Sequence, residues 1–239
     1  MENKDYKLKN IKESMRKRNV ETLFRKSSWE RGIRHLRKND PKLARAIRPG
    51  FHVDMTYDSD YYGSVVESIV FQQLAGKAAE AILNRFKKLY GGRIPSPSEF
   101  IKTDEKTVRG AGISPQKYSY MLDLCKKLES GMLALEGIDS LSDEEIVERL
   151  SSVKGIGRWT SDMFLIFSLG RTDVMPAEDL GVRKGLQSTY GLKELPDRKR
   201  IEKLALKWHP YCSMVAIAMW HRLDTVTIGD EKKPESLND

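Results

Sequence analysis

Leu150-Ser-Ser-Val-Lys-Gly-Ile-Gly-Arg-Trp-Thr-Ser161 decides how this chain is read. Upstream, Ser142 and Glu145 stand at the spacing of a capping box, followed by Ile146, Val147 and Leu150. Downstream, Arg158 to Leu169 has helical character and Gly170 stops it. The pattern Leu150-x-x-Val153-x-Gly155-Ile156-Gly157 is therefore a hairpin between two helices. Two glycines permit a tight turn with positive φ and let another backbone approach closely. The second helix starts at once, so its unpaired N–H groups and its dipole offer a site for a phosphate oxygen. Such a grip needs no side-chain code and suits sequence-independent DNA binding. The hairpin carbonyls, those of Ser151, Val153 and Ile156, are candidates for holding a Na+ or K+ ion. The same spacing also serves an ordinary helix connection in which glycine only relieves crowding.

Working outward, almost every segment reads as helix. Trp29 to Ile47 has helical spacing, interrupted near Asn39-Asp40-Pro41. Ser64 to Leu74 opens with a second capping-box spacing, Ser64 and Glu67, and Lys77 to Tyr90 ends at Gly91-Gly92. Pro115 to Ser130 is amphipathic, and Asp179 to Tyr190 and Arg200 to Arg222 supply the last helices. No strand alternation of useful length is present. The expected class is all-α.

Composition narrows the function. The 239 residues are 39% hydrophobic and 32% charged, enough for a core, and mean hydropathy is −0.53. No stretch approaches the roughly 18 apolar residues of a membrane span, and no secretory h-region is present. Two cysteines, Cys125 and Cys212, build neither a disulfide framework nor a four-cysteine iron–sulfur cluster. An intracellular setting follows. Residues 1–50 hold 16 Lys+Arg against 6 Asp+Glu, a balance of +10; the whole chain is +8, so the remainder carries −2. The basicity sits in an N-terminal arm, residues 1–25, and its neighbourhood, consistent with a polyanion partner.

Residues 150–161 resemble the helix-hairpin-helix of the base-excision DNA glycosylases, and Gly-Ile-Gly-Arg-Trp-Thr is similar to the alkylbase branch, DNA-3-methyladenine glycosylase II. Val65 to Ala79, VVESIVFQQLAGKAA, resembles that branch's Gln-Gln helix and turn, and Gly112-Ile-Ser-x-x-Lys117 fits as well. Asp173 to Asp179, DVMPAED, resembles the segment bearing the catalytic aspartate. The resemblance spans roughly residues 28–224. It implies two helical subdomains, 26–63 with 176–239 and 64–175, with an active cleft between them. Because residues 1–63 are all that precede Ser64, the additional N-terminal β domain of the longest relatives is expected to be missing.

The resemblance assigns catalysis to Asp179 rather than Glu178. Breaking a nucleoside N-glycosidic bond builds positive charge on the sugar, and a fixed carboxylate stabilises it as it develops. At about 4 Å and an effective dielectric of about 20 this is worth roughly 4 kcal/mol, or about a thousandfold in rate. Trp159 and Trp220 are expected to wall the base pocket, with Tyr61 and, less directly, Tyr57, Tyr62 and Phe51, because aromatic faces attract an electron-poor alkylated base. Core packing is the competing role for each. Flipping a base leaves a gap. Gln73 falls at the wedge position, with Gln72 and Leu74 beside it, and some relatives carry an apolar wedge there. Lys77, Lys154, Gly155, Gly157 and Thr160 complete the expected DNA contacts.

The lysine of bifunctional members stands two residues past the second hairpin glycine, where this chain has Trp159. A monofunctional enzyme without a required cofactor is expected, acting as a monomer on duplex DNA with alkylated purines, in the cytoplasm or nucleoid, or in a nucleus. Two alternatives stay open: a glycosylase for another lesion (hypoxanthine, ethenoadenine, uracil), and a noncatalytic binder of DNA structure.

Overall fold

The structure, a computed structural model, describes residues 23, 25–47, 50–53, 55, 59–74 and 76–229. Most of the basic arm, and Tyr57, lie outside them. The chain divides into two compact units, Met1–Thr56 with Gly170–Asp239, and Tyr57–Leu169. Among the described residues there are helices and turns and no strand. The all-α expectation holds.

The discontinuous unit contains α1 (Lys26–Asn39), α2 (Pro41–Ala46), α10 (Leu180–Tyr190), α11 (Arg198–Ala205) and α12 (Cys212–Gly229). Asp40 separates α1 from α2 and caps α2, its side chain accepting the Leu43 N–H. This carboxylate is 4% exposed and also accepts the Tyr190 hydroxyl and the Trp208 indole N–H. Burial alone would push the Asp40 carboxyl up; these hydrogen bonds outweigh it and hold it below the ordinary aspartate value, while burial and the neighbouring Asp40 push the Tyr190 phenol up. Helix α10 packs along α12. The approach is close because Gly185 has no side chain: a Cβ there would stand 2.9 Å from the Met219 carbonyl. Leu23, assigned to the arm, is instead buried in this unit, with its N–H on the Gly170 carbonyl at 2.8 Å. The helical stretch expected over 200–222 consists of α11 and α12, interrupted ahead of Cys212.

The continuous unit contains α3 (Tyr61–Phe71), α4 (Gly76–Lys88), α5 (Pro97–Lys102), α6 (Glu105–Gly110), α7 (Pro115–Glu129), α8 (Asp143–Ser151) and α9 (Arg158–Met163), the last running into a π turn, Phe164–Ser168. Its core includes Val66, Ile69, Phe86, Phe100, Leu124 and Leu165, all fully buried. Each such side chain contributes about 1.5–3 kcal/mol by leaving water. The capping box at Ser142 and Glu145 forms as expected. The one at Ser64 does not: α3 starts at Tyr61, capped by the Asp60 carboxylate on the Gly63 N–H at 2.9 Å.

The observed division at 56/57 and 169/170 differs from the expected 63/64 and 175/176. Asp60 begins α3, so Tyr61 to Gly63 go with that helix. Beyond Gly170 the chain is sewn to α12: the Thr172 carbonyl accepts the Ser213 N–H at 3.0 Å, and the Val174 N–H donates to Ser213 Oγ at 2.9 Å.

Candidate active site and nucleic-acid interface

In the discontinuous unit, Asp179 is the N-cap of α10. Its Oδ1 accepts the Val182 N–H at 2.8 Å and the Trp220 indole N–H, also at 2.8 Å. Two donors from different helices fix the plane of the carboxylate. Gly181 makes this possible: a Cβ there would stand 2.7 Å from Trp220 Cδ1 and 3.1 Å from Asp179 Oδ1. The helix-cap role is thus compatible with the functional role expected of this residue. Glu178 is 71% exposed and faces Arg198 at 3.7 Å. The adjacent acids diverge as expected, and Asp179 is the one engaged with an aromatic ring. Trp220 is half-buried, whereas Trp29 and Trp208 are 2% and 0% exposed. Phe51 packs edge-on against Trp29 at 5.6 Å and against His221 at 5.2 Å.

In the continuous unit the hairpin is held from α3. Gln72 turns its amide inward and donates to the Gly155 carbonyl and to Thr160 Oγ1, both at 3.0 Å. Thr160 is buried. Gln73, next in sequence, is exposed and has φ 56, the left-handed region. A non-glycine residue there stores about 1–3 kcal/mol of strain. The two glutamines thus take opposite directions: Gln72 braces the hairpin and Gln73 is lifted out of the helix end. Leu74 beside it is 37% exposed, and Lys77 and Lys154 are exposed.

The two hairpin glycines differ as well. Gly155 has φ 76, and a Cβ there would stand 2.1 Å from the Tyr120 ring. Gly157 is extended (φ −113, ψ −173), and a Cβ there would meet nothing within 4 Å. The turn and its packing require Gly155 alone; at Gly157 the missing side chain matters only for what comes from outside. Behind the hairpin, Asp123 accepts the Lys154 N–H at 2.8 Å and the Lys127 ammonium at 2.7 Å, and Lys127 also donates to the Ser152 carbonyl at 2.6 Å. Burial pushes the Asp123 carboxyl up, but Lys127 and the Lys154 N–H outweigh it and hold it below the usual range. Arg158 ties α9 to α8 through Glu144 at 2.9 Å and pairs with the buried Asp162 at 2.9 Å.

A groove of about 610 Å³ borders the hairpin, lined by Gln73, Leu74, Lys117, Tyr120, Gly157 and Trp159 among others. The Lys117 ammonium donates to the Val70 carbonyl at the end of α3 at 2.7 Å, and burial lowers its pKa. Trp159 is half-buried in this groove. Tyr61 is 9% exposed and packs edge-on against Phe164 at 5.8 Å. Tyr62 faces the buried thiol of Cys125 at 3.3 Å, which burial pushes up to about 11. Both tyrosines are thus engaged inside this unit.

Gly181, Asp123 and Lys127 were not singled out from the sequence. Gly181 had a signal, a glycine two residues past the candidate acid; Asp123 and Lys127 had none beyond their i,i+4 spacing.

Residues 66–210 match the family described as HhH-GPD superfamily base excision DNA repair protein. The chain is 35% identical over 195 residues to DNA-3-methyladenine glycosylase 1 of Schizosaccharomyces pombe, covering 81% of this chain and 83% of that one. It is similar to the solved structure of a 3-methyladenine DNA glycosylase of Schizosaccharomyces pombe in complex with abasic DNA: TM-score 0.73, 34% identity, 85% of this chain and 100% of that one. A DNA-3-methyladenine glycosidase structure from Bacillus halodurans gives a TM-score of 0.70 at 31% identity, covering 82% of this chain and 91% of that one. With a carboxylate clamped by an indole, a braced glycine hairpin and these likenesses together, the chain belongs to the HhH-GPD superfamily of base excision DNA repair proteins.

Proposed function

We propose that the protein is a monofunctional DNA glycosylase that hydrolyses the N-glycosidic bond of alkylated purines, of the 3-methyladenine and 7-methylguanine type, in duplex DNA, and acts as a monomer inside the cell. The observation that carries the chemistry is the Asp179 carboxylate, capped by Val182 and oriented by Trp220. As the base leaves, the sugar becomes oxocarbenium-like, and the fixed carboxylate stabilises that charge. It also orients the attacking water. Proton balance is simple: the N-alkylated purine is cationic on the sugar and leaves as a neutral base with the glycosidic electron pair, water supplies hydroxyl to the sugar, its proton passes to solvent, and an abasic site remains. An alkylated purine is already an activated leaving group, so aromatic contact suffices for capture, worth about 0.5–2 kcal/mol per ring. In this reading Trp220, beside Asp179, and Trp159, in the hairpin groove, are each candidates for that contact, and Tyr61, held edge-on against Phe164, is a third aromatic candidate.

The grip on DNA belongs to the hairpin. Gly157 leaves its backbone approachable, Gly155 sets the turn, and Lys77 and Lys154 add charge near the phosphates. Gln73, held out by the Gln72 brace on Gly155 and Thr160, fills the space of the extruded nucleotide, with Leu74 beside it. The carbonyls of Ser151, Val153 and Ile156 would hold a monovalent cation. Hard carbonyl oxygens suit Na+ or K+, and Val153 O, which accepts the Ile156 N–H, keeps a second lone pair. The ion would add positive charge where the hairpin meets phosphate. The basic arm would supply further, salt-sensitive contacts.

The test is chromatography of bases released from methylated duplex DNA and from duplexes carrying hypoxanthine, ethenoadenine or uracil. Release of 3-methyladenine or 7-methylguanine, with the strand uncut until alkali, is the expected result. Strand cleavage without alkali, or release from another lesion alone, contradicts the proposal.

A further inference from the structure

Asp173, His209 and Cys212 come from three places in the sequence of the discontinuous unit: the connector leading to Asp179, the turn after α11, and the first residue of α12. Their donor atoms lie within 4.8 Å of one another. His209 Nδ1 stands 2.8 Å from each carboxylate oxygen of Asp173 and 3.5 Å from Cys212 Sγ. One nitrogen faces both partners. That rules out a nucleophilic Cys-His-Asp relay, in which the two imidazole nitrogens must serve opposite partners. Burial also pushes the Cys212 thiol well up, which disfavours a thiolate nucleophile. Three different donors that converge on one point instead make three corners of a tetrahedral coordination shell.

We propose that Asp173, His209 and Cys212 form a zinc site. A thiolate, an imidazole nitrogen and a carboxylate oxygen are zinc's ligand types, and the two anionic ligands neutralise the ion. Zinc bonds of about 2.1 Å to nitrogen and oxygen and about 2.3 Å to sulfur put tetrahedral ligands roughly 3.3–3.6 Å apart. The nitrogen–sulfur separation of 3.5 Å already fits. The nitrogen–oxygen pairs at 2.8 Å must open by about half an ångström, and the Asp173 and His209 side chains, 36% and 50% exposed, have room to do so. The ion replaces the Cys212 thiol proton, which passes to solvent, and the His209 proton sits on Nε2. Water would take the fourth position. The role is structural: the ion ties the connector that ends at Asp179 to the start of the helix that carries Trp220.

The test uses the full-length protein, stripped with a chelator and titrated with Co2+ and then Zn2+. One equivalent of cobalt should give thiolate charge-transfer and tetrahedral visible absorption, displaced by zinc. The signal should vanish in Cys212→Ser and His209→Asn and survive in Cys125→Ser. Zinc at about a hundred times Kd should raise Tm of the wild type by roughly 5–10 °C and leave those two variants unchanged, with Mg2+ inert throughout. His209→Asn alters an exposed side chain, so it decides the matter if Cys212→Ser does not fold. No cobalt spectrum, a spectrum that survives both substitutions, or an equal shift with Mg2+ would overturn the proposal.

Discussion

Around Asp179 the working group is a side chain, held by one backbone N–H and one side chain; around Gly155 the working groups are backbone, held by a brace from another helix. The Asp179 carboxylate is fixed by a backbone cap and an indole N–H, and a glycine is there to make room for the ring. The hairpin presents backbone, and Gln72 from the end of α3 secures it while Gln73 takes a strained conformation. Chemistry that must place one charge needs a particular functional group. A grip on a repeating phosphate backbone needs only a shape. Substitution should therefore hurt the two regions through different observables.

The largest effect belongs to the carboxylate: Asp179→Asn should lower base release about a thousandfold. Gly155→Ala comes next, because the left-handed φ and the Tyr120 ring both oppose a Cβ; we expect a loss of about 3 kcal/mol in stability by thermal or urea unfolding. Trp220→Phe keeps the ring and removes the N–H on Asp179. It should cost about tenfold in single-turnover rate, the worth of one charge-assisted hydrogen bond, with DNA affinity within twofold. Gln73→Gly separates strain from function. Stability should stay level or rise by up to about 1 kcal/mol as the left-handed strain is relieved, while base release falls several-fold because the gap is left unfilled.

The smallest effect concerns the frame that carries the carboxylate. Asp40 has a folded pKa below its ordinary value, so its stabilising contribution is full above about pH 4 and is lost as pH falls through the folded pKa. Melting followed from about pH 5 down to about pH 3 should show a shallower decline in Asp40→Asn than in wild type. An equal decline would remove Asp40 from the acid response.

Much of this was legible in the sequence, and the exceptions are instructive. The hairpin and the Ser142 capping box follow from local chemistry and motif spacing, which act over a few residues, whereas the choice of Asp179 over Glu178 rests on the family resemblance. The assignment of Trp159 and Trp220 to the base pocket rests on the family resemblance; in the structure both are half-buried, while Trp29 and Trp208 are core. Ser64 and Glu67 have the spacing of a capping box, yet α3 starts one turn earlier because Asp60 supplies an equally good cap there. The opposed directions of Gln72 and Gln73 were hidden, since they depend on a hairpin distant in sequence. The two glycines look equivalent in a motif, and only Gly155 adopts a positive φ. The Asp173, His209 and Cys212 cluster has no sequence spacing that announces it, because the fold alone brings those segments together.

The division between chemistry and grip is tested most directly by single-turnover release of bases from methylated duplex DNA, with enzyme titrated to saturation, for wild type, Asp179→Asn and Gly157→Ala. Gly157→Ala adds a Cβ that meets nothing within 4 Å among the described residues, so it probes what approaches from outside. The expected result is that Asp179→Asn loses the saturating rate about a thousandfold and keeps the half-saturation point, while Gly157→Ala keeps the rate and raises the half-saturation point about tenfold. An Asp179→Asn enzyme that releases base within a few-fold of the wild-type rate, or a Gly157→Ala enzyme with unchanged half-saturation, would contradict the account.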